Sequence, residues 1–282
     1  MTIKIVTDST CDLPESIIQQ HDITVVPLYI NFDSKGYRDG VDLTRREFYE
    51  RLPISNPLPT TAAPGSEVFR RVYEQLARDG ATEVLSIHMS ESLSATVNVA
   101  RAAAQETSSV PVTVFDSRQL SLGTGFIVEA AAEAAREGRS MPEIIAQMND
   151  LISRTHVFAA LDTLEYLQRS GRMNGVIAGL GGLLQLKPVL KMYNGKPDAD
   201  RVRTRSRAIG HVISLLNSCA PLERVALVHT HAVSRAEEVR QLVEPLLPKG
   251  EVWSVDITPV IGAHIGPGAV GFACVTSKSP AL

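Results

Sequence analysis

Several stretches of this chain place hydroxyls, an imidazole or guanidiniums where an anion can be held. The first is Met89-Ser90-Glu91-Ser92-Leu93-Ser94-Ala95-Thr96, between a β-rich run at 83–88 and an alanine-rich segment of good helix formers at 97–105. A strand that breaks into serines and then opens a helix sets hydroxyls beside unpaired backbone N–H groups and the positive end of the helix dipole. That arrangement suits a carboxylate or a phosphate. A serine there also serves as an ordinary helix cap, so Ser92 and Ser94 carry both readings. Thr60 and Thr61 lie in a proline-bounded stretch, Pro57 to Pro64, expected to be an extended loop whose hydroxyls face either a ligand or solvent. A third stretch, 262–271, is expected to be a glycine-rich loop holding one histidine, His264, able to donate to an anion or move a proton. A buried structural histidine is the competing reading. The stretch lacks the lysine-bearing phosphate-loop pattern and runs into a strand rather than a helix, so it is a poor nucleotide site.

Other constellations are weaker. His229 and His231 bracket Thr230 at a strand end and would share a face, but no third ligand stands at metal spacing. A hydrolase needs a nucleophile, a base and an oxyanion hole, and the chain has no GxSxG elbow. Ser94, His264 and Asp8 or Asp116 supply the residue types of a triad without a supporting sequence context. Arg169, Arg172, Lys187, Lys191, Lys196, Arg201, Arg203, Arg205 and Arg207 concentrate positive charge. Alternation at 201, 203, 205 and 207 would line guanidiniums along one strand face, as a docking patch or as a charged edge that resists aggregation. Residues 175–184 mix glycine with aliphatic side chains, which suits either a narrow apolar tunnel wall or a tightly packed core helix.

The elements that position these residues follow an α/β rhythm. Strands are expected at 3–7, 84–88 and 112–115, and each ends in an Asp/Ser or Ser/Thr cluster. Pro14 stands at an expected first helical position before a helix at 15–20, and helices are expected at 44–52, 66–78 and 121–137. Thr44 and Glu47 have capping-box spacing. Strand–helix alternation predicts a three-layer, mostly parallel sheet with ligands at its carboxyl edge. A second unit starts near His156, with strands at 157–161, 187–193, 225–229, 252–257 and 270–275 and helices at 164–167, 208–216 and 234–247. Asn194-Gly195 is a hairpin turn, with 201–205 as the returning strand. The expected organisation is therefore two α/β domains, 1–155 and 156–282, the second a mixed sheet covered by helices.

Composition narrows the class. The chain has 282 residues, 44% of them hydrophobic and 21% charged, an ordinary globular balance able to bury a full core. A net charge of −3 gives no overall attraction to nucleic acid, so a DNA-associated role would rest on the arginine cluster alone. Cys11, Cys219 and Cys274 are scattered without metal spacing, which fits a reducing compartment and argues against a zinc site or disulfide framework. No signal peptide is expected, and no apolar run is long enough to span a bilayer, so a cytoplasmic protein without stable membrane insertion is expected.

With those pieces placed, the chain resembles the bacterial DegV family of fatty-acid-binding proteins from end to end. Thr7-Asp8-Ser9-Thr10-Cys11-Asp12-Leu13-Pro14 resembles the family's TDS-x-x-DLP, and Asp116-Ser117 its DS turn. The Pro59 to Pro64 stretch resembles its TSQP loop, and Leu93-Ser94-Ala95-Thr96 its LSGT. Leu164 to Met173 resembles its L-x-YL-x-x-GGRI, and His264-Ile265-Gly266-Pro267-Gly268 its H-x-GPG. Ala62, Ala95 and Ser170 depart from those patterns. The resemblance implies a long-chain fatty acid in an apolar tunnel between the two domains, with Thr61 and Ser94 as hydroxyl donors and His264 and Arg172 near the carboxylate. It implies no cofactor, no metal and no catalysis by this chain. It also implies a separate fatty acid kinase catalytic subunit as partner, which converts the carboxylate to an acyl-phosphate for phospholipid synthesis. A serine-dependent acyl hydrolase or acyltransferase using Ser94 is the alternative.

Overall fold

The computed structural model describes residues 2–32, 35–172 and 186–278. The first half of the chain runs β1 (Ile3–Asp8), α1 (Glu15–Gln20), β2 (Thr24–Val26), β3 (Tyr29–Phe32), β4 (Lys35–Arg38) and α2 (Arg45–Arg51). It continues through β5 (Thr60–Ala62), α3 (Ser66–Arg78), β6 (Glu83–His88), α4 (Thr96–Glu106), β7 (Val112–Asp116), α5 (Leu122–Arg136) and α6 (Met141–Arg154). The second half runs β8 (Thr155–Ala160), α7 (Glu165–Arg169), β9 (Lys187–Tyr193), β10 (Lys196–Val202) and α8 (Arg205–Ser218). It closes with β11 (Leu222–His229), α9 (Val233–Val243), β12 (Ser254–Asp256), α10 (Pro259–Ile265) and β13 (Val270–Thr276).

The protein is α/β. A parallel sheet has strand order β2-β1-β6-β7, and a mixed sheet has order β10-β9-β8-β13-β11-β12, parallel only between β11 and β12. Side-chain alternation along β1 and β6 decides what each face of the parallel sheet packs on. Val6 and Val84 face α3 and α4 with Phe69, Tyr73 and Ala100, whereas Ile3, Ile5, Leu85 and Ile87 face α5 with Phe126 and Ile127. The other side of the α5–α6 layer meets the mixed sheet through Val157, Ala226 and Ala273. The outer face of that sheet, with Phe158, Leu227 and Phe272, is covered by α8 and α9. Helix and sheet layers thus alternate five deep, with α5 shared by both sheets. Phe126 and Ile127 are fully buried in that shared layer, each worth about 1.5–3 kcal/mol relative to exposure.

A third sheet, antiparallel with order β4-β3-β5, was not anticipated. Thr60–Ala62, read from sequence as an extended loop, is its edge strand, with Ile30 opposite Thr61. Its core includes Phe48 and Tyr49 of α2 and Val260 and Ala263 of α10, so this small sheet meets the helix that carries His264. The expected Thr44–Glu47 capping box is formed, with Glu47 N–H donating to Thr44 Oγ1 at 3.2 Å and Thr44 N–H to Glu47 Oε2 at 2.9 Å. Pro14 sits at the N-cap rather than the first helical position. The Asn194-Gly195 turn closes β9 onto β10 with positive φ at both residues (46° and 79°).

Two expectations need correction. The arginines at 201, 203, 205 and 207 do not share a strand face, because β10 ends at Val202 and Thr204 caps α8, accepting from Arg207 N–H at 3.3 Å. The stretch around His264 is not simply a glycine loop. Thr258 caps α10, Pro259 occupies its first turn, and His264 sits in its last turn before Gly266. The apolar stretch at 175–184 lies outside the described residues. Among the described residues, no helix is long and apolar enough to cross a membrane.

Candidate functional site

A cavity of about 320 Å³ is bounded by residues from the parallel-sheet half (Leu28, Met89, Leu93), the mixed sheet (Val157, Ala159, Met192) and α10 (Ile261, Ile265). Its wall is mostly apolar, and Lys191 and Asp198 of the β9–β10 hairpin are among its polar side chains. Thr61 comes from β5, Ser94 from the turn into α4, Arg172 from beyond α7, His264 from α10 and Ser121 from the N-cap of α5. The four residues singled out in the sequence, Thr61, Ser94, Arg172 and His264, therefore line one cavity although they are up to 203 positions apart.

Their hydrogen bonding is uneven. His264 Nε2 lies 2.8 Å from Thr61 Oγ1, but His264 Nδ1 is buried with no partner. Burial, reinforced by the Arg172 charge, pushes the imidazole down to about 4, so it is neutral at pH 7. In the tautomer with hydrogen on Nδ1, the Thr61 hydroxyl donates to Nε2. The Ser94 hydroxyl lies 2.8 Å from Thr96 Oγ1 and accepts from Thr96 N–H at 3.3 Å. The N-cap of α4 is Ala95, without a side-chain cap bond, so Ser94 stands one residue ahead of the cap and borders the cavity. Arg172 is exposed and donates to Ser170 O at 2.8 Å.

Ser121 was legible in the sequence only as a helix start. It borders the cavity with φ of +50° and donates to Asp12 Oδ2 at 2.6 Å. Asp12 also accepts from Thr258 N–H at 2.8 Å and from Arg45 at 3.1 Å. Burial raises its carboxyl to about 6, against the charge of Arg45 and those hydrogen bonds. This buried carboxylate joins the loop after β1 to the start of α5 and the start of α10, behind the polar end of the cavity.

The loose Ser94–His264–Asp set does not assemble. His264 is bonded to Thr61, Ser94 to Thr96, and Asp8 to a different histidine, His88. A Ser–His–Asp row does exist elsewhere. His88 Nδ1 lies 2.8 Å from Asp8 Oδ2, His88 Nε2 lies 2.7 Å from Ser86 Oγ, and Tyr73 OH donates to Ser86 Oγ at 2.8 Å. Its members are fully buried, so a substrate cannot reach it. Burial pushes the Asp8 carboxyl up, but the His88 and Thr10 bonds outweigh it and hold the group below the ordinary carboxylate range. Asp116 and Ser117 are not among the residues lining the cavity.

His229 and His231 both approach Asp256, with Nδ1–carboxylate distances of 3.5 Å and 3.8 Å. Among the described residues one cluster, His21 with Glu129 and Glu133, gathers potential ligand atoms within 4.8 Å of one another. Glu129 is already neutralised by Arg224, and His21 Nδ1 faces an Arg136 nitrogen at 3.5 Å.

A mostly apolar cavity with a few polar side chains on its wall, set against a five-layer α/β frame, has the character of a small-molecule pocket. Comparison with known proteins places it. Residues 2–277 match the model of the family described as "Uncharacterised protein, DegV family", and the chain belongs to the DegV family. A DegV domain-containing protein of Deinococcus radiodurans is 38% identical over 277 residues, covering 97% of this chain and 98% of the relative. Protein DegV of Bacillus subtilis is 35% identical over 280 residues, covering 96% and 98%. Among solved structures, a DegV family protein from Thermus thermophilus described as binding fatty acid superposes with a TM-score of 0.89 at 35% identity, covering 98% and 100% of the two chains. A stearic acid-binding protein from Eubacterium ventriosum superposes with a TM-score of 0.87 at 26% identity, covering 97% and 98%.

Proposed function

We propose that this chain binds a long-chain fatty acid, with the acyl tail in the cavity and the carboxylate at Thr61, Ser94 and His264, offset by Arg172. The observation that carries this reading is the convergence of Thr61, Ser94, Arg172 and His264 on the wall of one mostly apolar cavity. The tail supplies the bulk of the affinity at about 0.8 kcal/mol per buried CH₂. The head group needs several donors because an unpaired buried carboxylate is unfavourable. Fatty acid binding by the Thermus thermophilus and Eubacterium ventriosum relatives supports the same ligand class.

In this reading the chain is a carrier without catalytic activity of its own, organised as units 1–155 and 156–282, and acting in the cytoplasm. It presents the acid to a separate kinase that phosphorylates the carboxylate. The unassembled Ser94–His264 pair disfavours the hydrolase alternative, since nothing positions a base on Ser94. Native mass spectrometry of freshly purified protein tests the ligand. A co-purifying acid of acyl-chain mass is expected, and a ligand-free protein that also fails to take up oleate overturns the reading. For the carrier role, the protein with oleate and ATP alone should form no acyl-phosphate, and adding the kinase should restore formation. Turnover of p-nitrophenyl esters by the chain alone would contradict it.

A further inference from the structure

His264 sits between two glycines, Gly262 and Gly266, and each is pressed by a tyrosine ring from a different element. A β-carbon on Gly262 would fall closer than 3.0 Å to Oη, Cζ and Cε1 of Tyr49, on α2. One on Gly266 would fall closer than 3.0 Å to Cδ2 and Cε2 of Tyr166, on α7. Both rings thus lie against bare backbone, two residues before and two residues after the imidazole. Tyr49 is itself anchored, since it is buried and its hydroxyl donates to Ile257 O at 2.8 Å, just ahead of α10. Gly266 adopts φ of +75° and its N–H donates to Gly262 O at 2.8 Å, so the two glycines are also tied to each other.

α10 is only seven residues long and ends immediately after His264. A helix this short has little stiffness of its own, so the direction of a side chain in its last turn is set by what packs on its backbone. The Thr61 contact comes from the edge strand of the small sheet and constrains one nitrogen only. A polar group that must meet a ligand oxygen has to be held within about half an ångström of the productive position. We propose that Tyr49 and Tyr166 are positioning residues for head-group binding. They clamp the backbone on both sides of His264, so that Nε2 keeps Thr61 and the imidazole keeps its place on the cavity wall beside the carboxylate. The pair of glycines is what lets the rings approach that closely. The inference rests on the carboxylate site proposed above.

The test is a double-mutant cycle read as oleate affinity, on the full chain. Tyr166→Ala is expected to weaken binding by about tenfold, and Tyr166→Phe, which keeps the ring over Gly266, to restore it. In a His264→Ala background, Tyr166→Ala should cost less than about twofold further, because the group it positions is gone. Tyr49→Phe, which keeps the ring and removes only the Ile257 bond, should give a loss of roughly threefold that also vanishes in that background, and it serves if Tyr166→Ala does not fold. Equal losses with and without His264, or a Tyr166→Phe variant as weak as Tyr166→Ala, overturn the positioning role and leave the carboxylate site standing. A wild-type protein that binds no oleate overturns the carboxylate site itself, and the clamp with it.

Discussion

Two histidine networks in this molecule use nearly the same side chains and end in opposite states. At the carboxyl ends of β1 and β6, His88 is bonded on both nitrogens, by Asp8 and Ser86, and Tyr73 extends the row. At the end of α10, His264 is bonded on one nitrogen, by Thr61, and its other nitrogen is buried without a partner among the described residues. His88 is fully buried, whereas His264 is partly buried and borders the cavity. A completed network holds its surroundings in place, because every member is costly to orphan. An incomplete one beside a cavity holds its surroundings less firmly, because fewer bonds fix the ring. Residue types alone do not separate the two cases; the count of satisfied atoms does.

The largest effect expected from that contrast is on the closed network. Asp8→Ala orphans His88 Nδ1 together with the N–H and hydroxyl of Thr10, and should cost on the order of 3 kcal/mol of unfolding free energy in urea titration. Its effect on oleate affinity, measured where the variant is still folded, should be small. The open network should behave inversely. Ser94→Ala and His264→Ala are each expected to weaken oleate binding by more than tenfold, about 1.4 kcal/mol, with a smaller change in melting temperature. A Ser94 or His264 variant that keeps its affinity but loses as much stability as Asp8→Ala would erase the distinction between the two networks.

A smaller effect concerns pH. The folded-state His264 is pushed from its ordinary 6.5 down to about 4. Between those values the unfolded chain takes up a proton that the folded chain refuses, so the contribution of this residue to stability falls as the pH drops from 6.5 towards 4. His264→Gln should flatten the pH dependence of unfolding in that window, measured by urea titration at several pH values. An unchanged profile would mean that the imidazole is not held neutral by its surroundings. Ligand should narrow the same difference, because a bound carboxylate favours the charged imidazole.

The strongly periodic parts of the fold could be read from the sequence, and the compact parts near the site could not. Ser66–Arg78 was anticipated to the residue, because its apolar positions repeat on one face and a glycine follows it at Gly80. The strands β1, β6 and β7 were anticipated within one residue for the same reason, as β-branched runs that end in polar turns. By contrast β5 is three residues in a proline-bounded stretch, and only its pairing with β3 makes it a strand. α10 was hidden by Gly262 and Gly266, which depress helix propensity. The capping Thr258 and the proline after it were the available signal. The alternating arginines misled because alternation of exposed charge carries no information about a buried face. Thr61, Ser94, Arg172 and His264 could be nominated because short motifs stand in a specific order along the chain. Ser121, Tyr49 and Tyr166 could not, since their roles arise from neighbours brought in by the tertiary fold.

The placement of α5 between the two sheets has a consequence for the protein as an object. Its apolar faces serve the parallel sheet on one side and the mixed sheet on the other, so the two halves share one large part of their interior beside the smaller cluster each keeps to itself. Heat should therefore melt the chain in one step, giving a single calorimetric peak. A cut after residue 155 would leave two fragments, each with the shared apolar face bared to water.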